Sequence, residues 1–154
     1  VWTGPSSHAV PVRRTTEVLV ELAREARVTL WLVSFAAYRV PLLLAEVAAA
    51  AGRGVDVRLV LETREDSGGA LHADAARAFA PVADLARFYV WPLEQRPATP
   101  SGRSAMHAKG VVVDDTAAFV TSANLTGQGL GDNMELGLLV RGGPVPRRLA
   151  AHWR

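Results

Sequence analysis

At 154 residues, with 49% hydrophobic and 21% charged side chains, the chain is ordinary for a globular domain and long enough to bury a core without staples. It has no cysteine, which excludes disulfides and thiolate metal sites and points to a reducing compartment, the cytoplasm. The net charge of +2 permits a polyanionic partner without demanding one, and among 17 basic residues Lys109 is the one lysine.

Val1 to Val10 has neither the basic start nor the apolar stretch of a secretory leader. The start at Val1 and the abrupt end at His152-Trp153-Arg154 suggest a single domain, 1–154, excised from a longer protein. Arg13 to Arg27 carries Val18, Leu19, Leu22 and Ala26 at helical spacing, with acids early and arginines late, as the helix dipole prefers. Val28 to Ser34 is β-branched and aromatic and reads as a buried strand. Pro41 opens a helix that runs through Ala51 and closes at Gly52. Val55 to Leu61 is a second strand, Leu71 to about Ala83 a helix, and Arg87 to Trp91 a third strand. The apolar stretches 28–38 and 40–51 fall short of the ~20 residues of a membrane span, and no helix pattern is convincingly membrane-seeking.

Pro92 to Ser104 reads as a loop. Ala105 to Val113 and Ala117 to Thr121 read as an antiparallel hairpin joined through Asp114-Asp115-Thr116. Asn124 to Asn133 is Gly-rich and irregular, Met134 to Arg141 a further strand, and Val145 to Trp153 a closing helix. Strands alternating with helices, then a hairpin, predict an α/β fold: a mixed sheet with helices on both faces.

The chemistry concentrates in Met106-His107-Ala108-Lys109-Gly110. On a strand, residues two apart share a face, so His107 and Lys109 project together, ~7 Å apart along the chain. Asp114 lies an odd number of steps from His107 and faces the other way, as a turn or supporting residue. Ser122 and Asn124, at the mouth of the returning strand, are neutral groups suited to holding a phosphate oxygen beside the ammonium. Glu135 stands opposite the row Met134, Leu136, Leu138, Val140, where its carboxylate can accept the Nδ1 proton of His107 and fix the tautomer.

Other features carry two readings each. Ser34 ends a strand and either lines the site or serves a turn. Arg96 and Arg103 precede His107 and either grip substrate phosphates or sit in a solvated loop. Trp31, Phe35, Tyr89 and Trp91 read as core rather than as base-stacking platforms. Gly127, Gly129 and Gly131 mimic a phosphate loop but lead into a strand instead of a helix. His8, His72 and His152 lack ligand spacing, and no metal site or cofactor is expected.

His107-x-Lys109, four residues, Asp114, then a Ser122-x-Asn124 end resembles the signature of the phospholipase D superfamily. The chain departs from it with Thr121 where glycine is usual. Trp2 to Pro5, Ser34 to Tyr38, Ser67 to Gly69, Tyr89 to Pro92 and Asn133 to Pro144 are similar to the phospholipase-D-like members of DISARM anti-phage systems. The resemblance implies a metal-independent phosphodiesterase in which one histidine attacks phosphorus, a second protonates the leaving oxygen, and Lys109 and Asn124 stabilise the equatorial oxygens. It implies DNA or RNA as substrate, bacterial defence as the setting, other defence proteins as partners, and a homodimer that shares one site. The alternatives are a nucleic-acid-binding or scaffold subunit with a silent site, and a lipid headgroup hydrolase or transferase.

Overall fold

The computed structural model describes residues 1–5, 9–67, 71, 74–100 and 102–154. In chain order it runs β1 (Trp2–Thr3), α1 (Thr15–Glu25), β2 (Thr29–Ser34), β3 (Ala37–Tyr38), α2 (Pro41–Gly52) and β4 (Asp56–Leu61). A 3-10 helix (Ala75–Val82) leads to β5 (Ala86–Tyr89), and a 3-10 turn (Leu93–Gln95) to the small hairpin β6 (Ala98–Thr99) and β7 (Gly102–Arg103). Then come β8 (Gly110–Val113), β9 (Ala117–Thr121), β10 (Leu125–Thr126), a π-helical turn (Gln128–Asp132), β11 (Glu135–Arg141) and α3 (Val145–Trp153).

Seven strands form the main sheet in the order β1-β11-β9-β8-β2-β4-β5. β2, β4 and β5 are parallel, because α2 and the 3-10 helix carry the chain back between them. β8, β9, β11 and β1 continue the sheet antiparallel. The β8–β9 connection is tight: Asp114 and Asp115 take φ of 50° and 57°, and the Thr116 N–H donates to the Val113 carbonyl at 2.9 Å. Positive φ at both central residues is the primed turn whose twist matches that of a hairpin.

On one face Leu30, Leu32, Val111, Val113 and Phe119 meet Val18, Leu19 and Leu22 of α1, Leu43, Val47 and Ala50 of α2, and Phe79 and Val82. On the other, Trp31, Val112 and Ala118 pack against Ala150 and Trp153 of α3. That face is covered only in part: Val120, Leu136 and Leu138 remain 49%, 67% and 67% exposed. No described helix is long and apolar enough to cross a membrane.

Four expectations are corrected. The segment read as a helix from Leu71 is a 3-10 helix that begins at Ala75, with Pro81 inside it. Proline has no N–H to donate and its ring crowds the preceding turn, which disfavours an α-helix there. The loop 92–104 contains the β6–β7 hairpin, and 124–133 contains β10 and a π-helical turn. β8 starts at Gly110, not at Ala105, so His107 and Lys109 precede the regular ladder. A Cβ on Gly110 would lie 2.8 Å from the Phe119 carbonyl oxygen, so glycine is what lets β8 come so close to β9 there.

Candidate active site

β8 runs antiparallel to β2, with Gly110 paired to Val33. The residues entering β8 therefore stand at the carboxyl ends of the parallel strands, where open α/β sheets bind ligands. His107 is exposed there and Lys109 is buried. The Lys109 ammonium is 3.1 Å from His107 Nδ1 and donates to the His107 carbonyl at 2.9 Å. The two groups meet because the long lysine side chain reaches back to the imidazole, while the Lys109 carbonyl accepts the Thr121 N–H at 3.3 Å and so already joins β9.

Phe35, one residue past β2, completes this cluster. Its ring centroid is 4.9 Å from that of His107, tilted by 48°, and Lys109 Nζ lies 5.9 Å from it. Phe35 is half-buried beside His107 rather than deep in the core. The sequence signal for this was slight: its place directly after Ser34, at the end of a parallel strand.

Burial pushes the Lys109 ammonium below the ordinary lysine range, against the opposing pull of the Glu135 carboxylate. Desolvation disfavours the charged form, so the proton leaves at a lower pH than the 10.5 of a free lysine. If Lys109 stabilises charge on substrate oxygens, kcat/KM should fall as pH rises through that lowered value. Lys109→Arg should remove the alkaline limb, since guanidinium stays charged, and cost at least tenfold in rate, about 1.4 kcal/mol, because its planar fork fits a compact site badly. An unchanged limb in the arginine variant, read from pH–rate profiles, would contradict this role.

Ser122 and Glu135 come together: the serine hydroxyl donates to Glu135 Oε2 and accepts the Leu136 N–H at 3.1 Å. Asn133 Nδ2 donates to Glu135 Oε1 at 3.2 Å. The expected contact between Glu135 and His107 is therefore absent within one chain. Ser122, one residue past β9, and Asn133, two before β11, take the carboxylate instead, and the Lys109 ammonium faces Nδ1.

Asn124 is half-buried, and its Oδ1 has no hydrogen-bond partner among the described residues. The loop that carries it is fastened to the segment after β2: the Leu125 N–H donates to the Ala36 carbonyl at 3.0 Å, and β10 pairs with β3. Gly129 packs directly on that loop, for a Cβ there would meet the Asn124 carbonyl oxygen at 2.4 Å. Of the three glycines of this segment, Gly129 alone serves close packing beside Asn124; a Cβ on Gly127 or Gly131 would meet nothing within 4 Å.

Of the residues offered as substrate contacts, two are corrected. Ser34 is fully buried; its hydroxyl donates to the Ala36 carbonyl at 2.7 Å and accepts the Leu125 N–H at 3.3 Å, which is turn chemistry. Arg96 is also buried, in a bidentate ion pair with Glu62, and has no reach to solvent. Arg103 is exposed on β7 and donates to the Arg96 carbonyl at 2.8 Å. Asp114 sits at the far end of β8, where its carboxylate takes the N–H groups of Arg27, Val28 and Thr29 at 2.8–2.9 Å. Trp31 is core, but Tyr89 is 39% exposed. His152 is exposed on α3, and His8 and His72 lie outside the described residues.

Residues 19–153 match the family model for the cardiolipin synthase, PLD-like domain, where PLD denotes phospholipase D. The chain is 31% identical over 143 residues to the DISARM protein DrmC of Bacillus paralicheniformis, an alignment covering 92% of this chain and 56% of that protein. It thus spans about half the length of this curated relative. Among solved structures, NucT from Helicobacter pylori superposes with a TM-score of 0.69 at 15% identity, over 89% of this chain and 82% of that one. Nuc from Salmonella typhimurium gives 0.62 at 22% identity with the same coverage. The phosphatidylserine synthase of Haemophilus influenzae gives 0.66 at 16% identity, over 99% of this chain and 36% of that one. The structural likenesses show the fold, and with the family match across most of its length the chain belongs to the phospholipase-D-like domain family.

Proposed function

We propose that the chain hydrolyses phosphodiesters without a metal ion, that its substrate is nucleic acid, and that it serves bacterial anti-phage defence. The observation that carries the chemistry is the ammonium of Lys109 held against the His107 imidazole at the open end of the sheet. A cation and an imidazole nucleophile, side by side, are what attack on a phosphodiester anion requires. His107 attacks phosphorus, a P–N bond forms, and the P–O bond to the leaving group breaks as a second histidine protonates the departing oxygen. That second histidine then takes a proton from water, whose oxygen attacks phosphorus and restores His107. A phosphate drawn to Lys109 competes with Nδ1 for the ammonium; Asn124 on the neighbouring loop offers its Nδ2 to one of its oxygens, and Ser122 does so once its hydroxyl turns from Glu135.

The chain holds one lysine and so one His-x-Lys unit. The second histidine then comes either from the remainder of a longer parent chain or from a second copy; in this reading it is a second copy, in a symmetric dimer with both His107 side chains near the axis. Support comes from the apolar strip Val120, Leu136 and Leu138, exposed immediately beside Ser122 and Glu135. The defence setting, nucleic acid as substrate and further defence proteins as partners rest on the likeness to the DISARM protein. A lipid headgroup reaction is the second reading, favoured by the fold shared with a phosphatidylserine synthase.

The purified protein should be assayed in EDTA on single- and double-stranded DNA, on RNA and on anionic phospholipid vesicles. Cleavage of a nucleic acid in EDTA is expected. Cleavage that requires Mg²⁺ or Mn²⁺, or turnover of phospholipid alone, would contradict the reading.

A further inference from the structure

The side chains of Glu62 and Arg96 are both fully buried, 34 residues apart in sequence. Arg96 Nη1 and Nη2 each donate to one Glu62 oxygen at 2.8 Å. The guanidinium also donates to the carbonyls of Trp91 and Asp66, each at 2.8 Å, and lies over the Trp91 ring. The Glu62 carboxylate accepts two backbone N–H groups besides: Thr63 at 3.1 Å and Met106 at 3.2 Å.

The last of these bonds matters most, because Met106 is the residue before His107. Glu62 stands directly after β4, at the same end of the sheet as the site. The chain therefore enters the site fixed at Met106 and leaves it fixed at Gly110, where the β8 ladder begins. Only residues 107–109 lie between these two anchors, and the last of them is itself tied to Thr121, whose N–H donates to the Lys109 carbonyl at 3.3 Å. Burying two charges is costly, and apolar side chains of similar volume often stabilise a protein as well or better. Apolar replacements, however, would leave the Met106 N–H and the Asp66 and Trp91 carbonyls without these partners. The pair therefore supplies direction and placement that an apolar plug could not.

We propose that the Glu62–Arg96 pair is a positioning device for His107, holding the backbone at Met106 so that the imidazole meets phosphorus in line. This rests on the reading of His107 as the nucleophile. Small displacements of a reacting group cost large factors in rate, while binding of substrate by other residues is spared. The pair touches no substrate; it acts through the backbone it holds.

The test uses Glu62→Gln, which keeps the shape but loses charge and one acceptor, and Arg96→Lys, which keeps charge but cannot span the same partners. Both are compared with wild type and His107→Asn on one nucleic acid substrate, with folding followed by circular dichroism and thermal melting. For folded Glu62→Gln we expect kcat to drop at least tenfold with KM within about twofold, while Glu62→Asp recovers part of the loss. Unchanged kcat, or a loss that tracks the unfolded fraction, overturns the inference even when His107→Asn is inactive. Activity retained in His107→Asn sinks the nucleophile reading itself, and this inference with it. A measurement independent of turnover is the His107 imidazole resonance, assigned by its disappearance in His107→Asn. It should shift in Glu62→Gln and Arg96→Lys, and identical spectra in the folded variants overturn the proposal.

Discussion

Replacing His107 with asparagine is expected to abolish phosphodiester hydrolysis, a loss of at least about 10⁴-fold in turnover, because no other group in the cluster can form the covalent intermediate. The fold should survive. His107 is exposed and its side-chain contacts are Lys109 and the ring of Phe35, so the stability change should stay within about 1 kcal/mol. Mixing the variant with wild type probes the shared site. In an equal mixture only about a quarter of dimers carry two His107 side chains, so activity falls to about half of what the wild-type chains alone would give. Strict proportionality to wild-type content would show that each chain works by itself. Retention of more than a few per cent activity in the pure variant would remove His107 from the mechanism.

The second large effect is on stability. Arg96→Leu leaves the Glu62 carboxylate in a site sealed from water, and breaking a buried pair from one side costs about 3–5 kcal/mol. For a chain of this size that lowers the melting temperature by on the order of 10 °C. Arg103→Leu, on the exposed hairpin, should change stability by no more than about 0.5 kcal/mol. Equal effects of the two substitutions in chemical or thermal unfolding would mean that the Glu62–Arg96 pair is open to solvent.

The fate of Arg96 marks the limit of what the sequence makes legible. Its neighbours, prolines and polar residues, describe a surface loop, and nothing local announces an acid 34 positions earlier that draws it inside. Where the governing interactions are local, the reading is close. α2 lies between Pro41 and Gly52 as the cap residues imply, and β2 and β4 follow their apolar periodicity to within a residue. The 3-10 helix misleads because apolar spacing alone cannot separate it from an α-helix; Pro81 was the available warning. β8 begins late because an apolar sequence favours an extended chain from Ala105 onward, but pairing depends on what β2 and β9 can offer opposite it.

The site itself is legible in part. The spacing of His107 and Lys109 on one side of an extended segment predicts their meeting, and the odd step to Asp114 predicts its separation; both describe the geometry found. Alternation along β11 places Glu135 opposite the leucine row, but whether a carboxylate turns to a histidine or to a serine is a tertiary matter, and here it turns to Ser122. Alternation also cannot say which face is covered. Leu136 and Leu138 look like core and are exposed, on the side that a second copy would bury in the proposed dimer.

In the proposed mechanism His107 becomes covalently attached to phosphorus. The most direct measurement is rapid alkaline quenching of the protein during turnover of a nucleic acid it cleaves, followed by peptide mapping by mass spectrometry. A base-stable, acid-labile phosphoramidate is expected on the His107 peptide, formed within the first turnover and absent from His107→Asn. Full turnover with no adduct, or an adduct on another residue, would contradict it.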